Sequence, residues 1–399
     1  MKLIFASDSF KGTLSSPQTA ALLGAAAREV FGEYDAVEIP VADGGEGTTE
    51  TVLSARKGTK IYAAVHGPLM EPVRAYFGVL DNDRSEDGEI QDAEMQQEHA
   101  EKKAIMEMAQ ASGLPLVPAE LRDPRRTTSY GTGELVLAAL DAGCTHINIA
   151  IGGSATNDGG MGFASALGIR FLDRDGNPLE GVGGNLAKVC HVEMSGLDPR
   201  VKDTAFTIMS DVTNPLCGPD GATYTFGPQK GGTPEILEEL EAGMQNYKNV
   251  IIREFGIDPD ETPGSGAAGG LGTALLVFLN GRMRSGIETV LDLVEFDKLA
   301  AGSDLIITGE GRTDWQSSHG KVLQGIGEHA LELGIPAVAL SGGLGPGYES
   351  IYNHGTVSLM TTVDGPMTLD HACANADALY KKAAVRLFRL IKAGMAIRH

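Results

Sequence analysis

The sequence predicts an α/β chain organised as two domains. Three observations carry this. Apolar runs of strand length alternate with helical patterns, several of those runs stop at a glycine, aspartate or serine, and 399 residues exceed what one domain of about 150 needs. The clearest strands are Leu3–Ala6, Val37–Val41, His146–Ile151, Ala205–Met209, Asp304–Thr308 and Ala337–Leu340. Strand, loop and helix repeated in this order favour mainly parallel sheets, whose ligands sit at the carboxyl ends of strands.

Helix signals agree. Ser16-Pro17 places an N-cap before a proline at the first helical position, ahead of an alanine- and leucine-rich run to Val30. Thr233-Pro234-Glu235 opens another helix in the same way, running towards Arg253. The first two and the last two strand units read as one Rossmann-like layer with a mainly parallel sheet, residues 1–60 plus 295–399. A second α/β domain, residues 61–294, is inserted between them. Within it the stretch 81–103 is polar and mostly acidic and reads as a surface insertion.

Composition removes several function classes. A net charge of −21 repels nucleic acid, and no basic stripe offers a local exception. The cysteines Cys144, Cys190, Cys217 and Cys373 lie far apart with no zinc spacing, as reduced cytosolic thiols do. The first residues turn polar too soon for a signal peptide, and the apolar run Leu271–Leu279 is far short of the ~18 residues of a membrane span. The expected compartment is the cytoplasm, without membrane partners. The 53 glycines stand at about twice the usual share of roughly 7% and cluster in short loops, which points to backbone-shaped ligand sites.

Known phosphate signatures are missing: there is no GxxxxGK[ST] and no protein-kinase set. A GxGxxG occurs at Gly264–Gly269, but a turn precedes it where a dinucleotide fingerprint needs a strand. It leads into the apolar helix Leu271–Leu279, so an anion site at that helix start stays open. The loop Ala42-Asp43-Gly44-Gly45-Glu46-Gly47-Thr48 lies between a strand and a helix. Its amides suit a phosphate, while Asp43 and Glu46 repel one unless Mg²⁺ lies between, or else cap the helix. Asp8-Ser9-Phe10-Lys11-Gly12 ends the first strand, and Gly152–Gly160 follows another and is dense in small polar groups. Asp211 projects from a strand end, Lys230 sits in a glycine turn, and Thr308–Asp314 carries Glu310, Arg312 and Asp314. Carboxylates for Mg²⁺, cations for phosphates and a base for a hydroxyl are the parts that phosphoryl transfer needs.

These loops, together with Thr128–Glu134, Asn214–Gly218 and Phe226–Gly231, resemble the bacterial type I glycerate kinase family, in the family's order and across nearly the whole chain. The resemblance implies ATP and D-glycerate as substrates and Mg²⁺ as cofactor. It implies a phosphoglycerate product, 2-phosphoglycerate favoured, and two α/β domains with the active site in the cleft between them. The acidic stretch 81–103 departs from the family, which makes a short turn there. On this reading transfer is direct. Lys11, Lys230 and the loop of Gly44, Gly45, Gly47 and Thr48 hold phosphates, with Gly269 and Gly270 as further cofactor contacts. Asp43, Glu46 and Glu310 are the candidate Mg²⁺ ligands, or acids that sit behind the ligands. Asp211 or Asp314 orients or deprotonates the acceptor, and Ser154, Thr156, Asn157 and Arg312 fix the glycerate carboxylate. A kinase for another small hydroxy acid, a nicotinamide-dependent hydroxy-acid oxidoreductase and a non-catalytic binding protein are the rivals. Homo-oligomerisation is left open.

Overall fold

The structure, a computed structural model, describes residues 1–10, 12–81 and 101–397. Lys11 and residues 82–100 of the acidic stretch lie outside the described residues, and the last residue of that stretch, Lys103, opens a strand. The chain divides into two units. The first comprises Met1–Asp43, Glu50–Arg56 and Ser285–His399, and the second Gly44–Thr49 and Lys57–Arg284. In chain order the strands are β1 (Lys2–Ser7), β2 (Asp35–Glu38), β3 (Gly58–His66), β4 (Pro72–Leu80), β5 (Lys103–Glu107), β6 (His146–Ala150) and β7 (Arg170–Leu172). They continue with β8 (His191–Glu193), β9 (Ala205–Met209), β10 (Arg282–Arg284), β11 (Leu305–Gly309), β12 (Ala337–Ser341) and β13 (Thr356–Thr361).

The first unit is built on a five-stranded sheet of order β13-β12-β11-β1-β2, parallel throughout. Counted within the unit this is the doubly wound order 2-1-3-4-5, in which the winding direction reverses between β1 and β11. Because side chains alternate across a strand, Leu3 and Phe5 face one way with Leu305, Ile307, Val338 and Leu340. They pack against the helices Ser16–Phe31 and Ala376–Met395, where Phe388 lies 6.3 Å from Phe5 and 5.6 Å from Phe31, ring to ring. Ala339 faces the other way, onto Leu323 and Ile351. Both faces are covered, as an all-parallel sheet requires.

One local detail differs from the sequence expectation. The N-cap of the first helix is Ser15, one residue earlier, with a capping box in which Gln18 N donates to Ser15 Oγ and Ser15 N donates to Gln18 Oε1. Ser16 is turned inward instead. Its hydroxyl donates to Ser7 O at 2.6 Å and accepts from Val41 N, tying the helix to the end of β1 and to the segment that follows β2.

The second unit carries a six-stranded mixed sheet, β10-β9-β6-β5-β4-β3. Strands β10, β9, β6 and β5 run parallel, while β4 and β3 add as an antiparallel hairpin. The hairpin turns through Gly67–Met70, with Met70 at φ 65° and Gly67 N donating to Glu71 O. A separate antiparallel pair, β7-β8, completes the strands among the described residues. The long helix Pro234–Phe255 starts at the expected N-cap, Thr233, and stops at Gly256 with φ 69°. No described helix is long and apolar enough to cross a membrane.

Phe388 is fully buried against both the sheet and the first helix. Phe388→Ala is expected to lower the first unit's stability by about 3–5 kcal/mol, read as a shift in its urea midpoint.

Candidate active site

At the carboxyl ends of the first unit's strands lies a cavity of about 480 Å³. Asp8 and Ser9 follow β1, Glu310, Gly311 and Arg312 follow β11, and Gly342 and Thr362 follow β12 and β13. Reversal of winding between β1 and β11 sends their outgoing loops apart, which is why a crevice opens there. The neighbouring loops are zipped together: Gly342 N donates to Glu310 O at 3.0 Å, and Thr313 N to Gly343 O at 3.0 Å. A Cβ at Gly342 would stand 2.4 Å from Gly311 O, so this approach needs glycine.

The cavity wall is acidic. Among the described residues, Asp43 and Asp314 join Asp8 and Glu310, with Arg312 and Lys321 as the cations. Asp8 Oδ1 accepts from the Ser9 N–H at 2.6 Å, which fixes its rotamer at the strand end. Glu310 is only 6% exposed and accepts from Ser317 Oγ at 2.5 Å. Burial pushes its carboxyl above the usual range, while the Ser317 and Thr313 hydroxyls and the Lys321 charge oppose that rise. Asp314 caps the turn Trp315–Ser318 by accepting from Gln316 N at 2.9 Å, and its other oxygen lies 3.6 Å from Arg312 Nε. The Arg312 side chain is otherwise exposed.

The second unit gathers most of the other predicted residues, in a different way. In the loop of Gly44, Gly45, Gly47 and Thr48, two of the amides that matter are already engaged. Gly47 N and Thr49 N donate to the Glu107 carboxylate at 2.9 and 2.8 Å, and Glu46 is exposed. The anion that this helix start receives is therefore the chain's own Glu107, whose carboxyl burial drives upward against those same hydrogen bonds.

The Gly152–Gly160 loop is organised from beneath by Asp158. That carboxylate accepts from Ser129 N, Ser129 Oγ, Gly160 N and Gly162 N, at 2.7–3.2 Å. Thr156 and Asn157 are fully buried, with Asn157 Nδ2 donating to Thr223 Oγ1, whereas Ser154 keeps a small exposed fraction. Lys230 is 2% exposed, its ammonium donating to Thr156 O at 2.7 Å, so it braces the loop from inside. Gly269 and Gly270 have φ of 68° and 90°. A Cβ at Gly269 would stand 2.0 Å from Thr156 O, and one at Gly270 2.7 Å from Gly159 Cα, so both glycines serve a close approach between two backbones. The rest of that glycine run is packed too, since a Cβ at Gly266 would meet Pro215 O at 2.0 Å.

Of the predicted residues, then, Asp43, Glu310, Arg312 and Asp314 meet in one cavity. Ser154, Thr156, Asn157, Lys230, Gly269 and Gly270 meet around one loop of the second unit. Asp211 is exposed just past β9. The sequence reading did not single out Glu107 or Asp158 as loop organisers, nor the C-terminal residues Leu369, Ala372 and Ala376 that line the cavity. For Glu107 the available signal was an acid ending an otherwise apolar strand.

A doubly wound sheet with a carboxylate-lined crevice at its switch point is the build of an α/β enzyme acting on a small polar ligand. The comparisons name the kind. A model of the glycerate kinase family matches residues 3–392. A glycerate 2-kinase of Escherichia coli K12 is 43% identical over 372 residues, covering 93% of each chain. A glycerate kinase of Halalkalibacterium halodurans is 40% identical over 382 residues, covering 96% of each. A crystal structure from Salmonella typhimurium LT2, described as a candidate glycerate kinase 2, superposes with a TM-score of 0.85 at 39% identity over all of both chains. The chain belongs to the glycerate kinase family and is an enzyme of the phosphotransferase class.

Burial pushes Lys230 down from 10.5 to about 7, with the nearby Asp158 charge opposing. Between those two values the unfolded chain holds a proton that the folded chain has released, so folding stability rises with pH across that window. Lys230→Met removes this contribution. Wild type is therefore expected to gain urea stability relative to the variant as pH rises from about 7 to about 10; a difference that stays flat would contradict the buried amine.

Proposed function

We propose that the chain transfers the γ-phosphoryl group of ATP to a hydroxyl of D-glycerate and releases phosphoglycerate, with 2-phosphoglycerate the favoured product. The observation that carries this is family membership over residues 3–392. Residues 1–60 and 295–399 are read as the Rossmann-like domain, and residues 61–294 as the domain inserted into it. The reading also places the enzyme in the cytoplasm with D-glycerate as its small-molecule partner.

The donor set of the first unit's cavity fits Mg²⁺. Its acids are hard oxygen ligands, and among the described residues no three His, Cys, Asp or Glu side chains form a closed metal cage. Mg²⁺ keeps several waters and uses one or two carboxylates plus substrate phosphates, so it needs no such cage. One or two of Asp8, Asp43 and Glu310 would hold it, and when bound it would neutralise phosphate charge. Lys321 and Arg312 supply the side-chain cations of the cavity, and Lys11, which follows Phe10 in the chain, is proposed to add another. Glu310 is held in place by Ser317, so its oxygens are positioned before any ligand arrives. Ser154 is proposed to contact glycerate, with Thr156 and Asn157 shaping its loop from within. Transfer is in line and direct, with Asp211 or Asp314 orienting or deprotonating the acceptor hydroxyl.

A coupled ADP-release assay with Mg-ATP and D-glycerate is expected to show turnover, and ³¹P NMR of the product to show phosphate on O2. Activity confined to a different hydroxy acid would keep the chemistry and change the substrate. Glu310→Gln is expected to lower kcat by about 10–100-fold with the fold intact by circular dichroism. Asp211→Asn and Asp314→Asn, made separately, test the base: if both keep kcat within about tenfold of wild type, neither is the base.

A further inference from the structure

The cavity of the first unit is larger than a small hydroxy acid needs, and its lining has two characters. The polar part comes from strand ends: Asp8, Asp43, Glu310 and Asp314. The apolar part comes from other elements, with Phe10 and Leu14 in the loop after β1 and Leu369, Ala372 and Ala376 in the C-terminal helices.

The helix Leu369–Ala374 is the unusual piece. None of its residues is buried, although it carries Leu, Ala and Cys, and Leu369 is 78% exposed while lining the cavity. Leu369 and Cys373 are exposed and Ala372 is half-buried, so this helix gains little from tertiary packing. Its side chains that line the cavity leave apolar surface open there, which a ligand with an apolar face would cover. Glycerate has no such face, whereas a purine does.

The acidic part points to the same ligand. Among the described lining residues four carboxylates outnumber the cations Arg312 and Lys321, a balance that disfavours a bare anion such as glycerate and suits an anion that arrives as a divalent-metal complex. A volume of about 480 Å³ falls within the roughly 300–1,000 Å³ of sites that enclose a ligand of nucleotide size. The site also lies at the switch point of a doubly wound sheet, where such sheets hold their ligands.

Building on the kinase reading above, we infer that this cavity is the nucleotide site. The purine lies against Leu369, Ala372 and Ala376, and the metal-bridged phosphates face Asp8, Asp43 and Glu310. The cofactor contacts expected from sequence at Gly44–Thr48, Lys230, Gly269 and Gly270 are then internal struts of the second unit.

Cys373 lines the cavity and is exposed, and of the other three cysteines only Cys190 is exposed. In the Cys190→Ser protein, alkylation of Cys373 by iodoacetamide, followed by mass spectrometry, footprints the cavity. Mg-ADP at ten times its dissociation constant is expected to slow labelling by about tenfold. Adenosine is expected to protect as well at sufficient concentration, and D-glycerate and Mg-tripolyphosphate to protect weakly or not at all. Protection by glycerate and not by Mg-ADP would overturn the inference, as would labelling indifferent to both in an enzyme that turns over. Protection by Mg-ADP in a protein that phosphorylates no glycerate would uphold the nucleotide site and remove the acceptor assignment instead. Ala376→Trp, which fills the apolar part, is expected to raise KM for ATP and leave KM for glycerate unchanged. An equal rise in both, or a rise for glycerate alone, would count against the purine's place.

Discussion

A backbone N–H withdrawn from water without an acceptor costs about 1–3 kcal/mol, and glycine-rich loops bring many such groups inside. The second unit meets that demand with carboxylates. Glu107 takes the N–H groups of Gly47 and Thr49, and Asp158 those of Ser129, Gly160 and Gly162. Asp260 takes Leu216 and Cys217, Glu241 takes Gly218, and Glu134 takes His66. Each of these acids fixes one loop. Part of the chain's large negative charge is therefore spent internally, as acceptors, and not on the surface.

That arrangement explains what could be read from the residues and what could not. Strands β1, β6, β9, β11 and β12 were legible because short apolar runs ending at turn residues have few other uses. The helix starts were legible to within one residue, the error being whether Ser15 or Ser16 makes the cap. Both are serines, and only the packing of Ser16 against Ser7 and Val41 decides between them. The β3–β4 hairpin was missed because its turn, Gly67-Pro68-Leu69-Met70, lacks the usual two-residue signal and places a methionine at positive φ.

For the site, the sequence marked the right kind of loop but not its employment. A glycine loop at a helix start looks the same whether it awaits a phosphate or holds a glutamate from 60 residues away, as Gly47 and Glu107 do. Local spacing carries no information about a partner so distant. The cavity's charged residues were easier, since Glu310, Arg312 and Asp314 lie within a few residues of one strand end. Its apolar lining was invisible, because Leu369, Ala372 and Ala376 read as ordinary helix positions.

Strand β1 sits in the interior of its sheet, between β2 and β11, and Lys2 N reaches Asp304, 302 residues further along the chain. During synthesis at about 5–20 residues per second, the first strand must therefore wait on the order of 15–60 s for its β11 neighbour to leave the ribosome. The second unit ends at Arg284, shortly before β11 begins at Leu305. The nascent chain carries the apolar β1 segment with one edge unmatched throughout that interval, a natural point of engagement for chaperones.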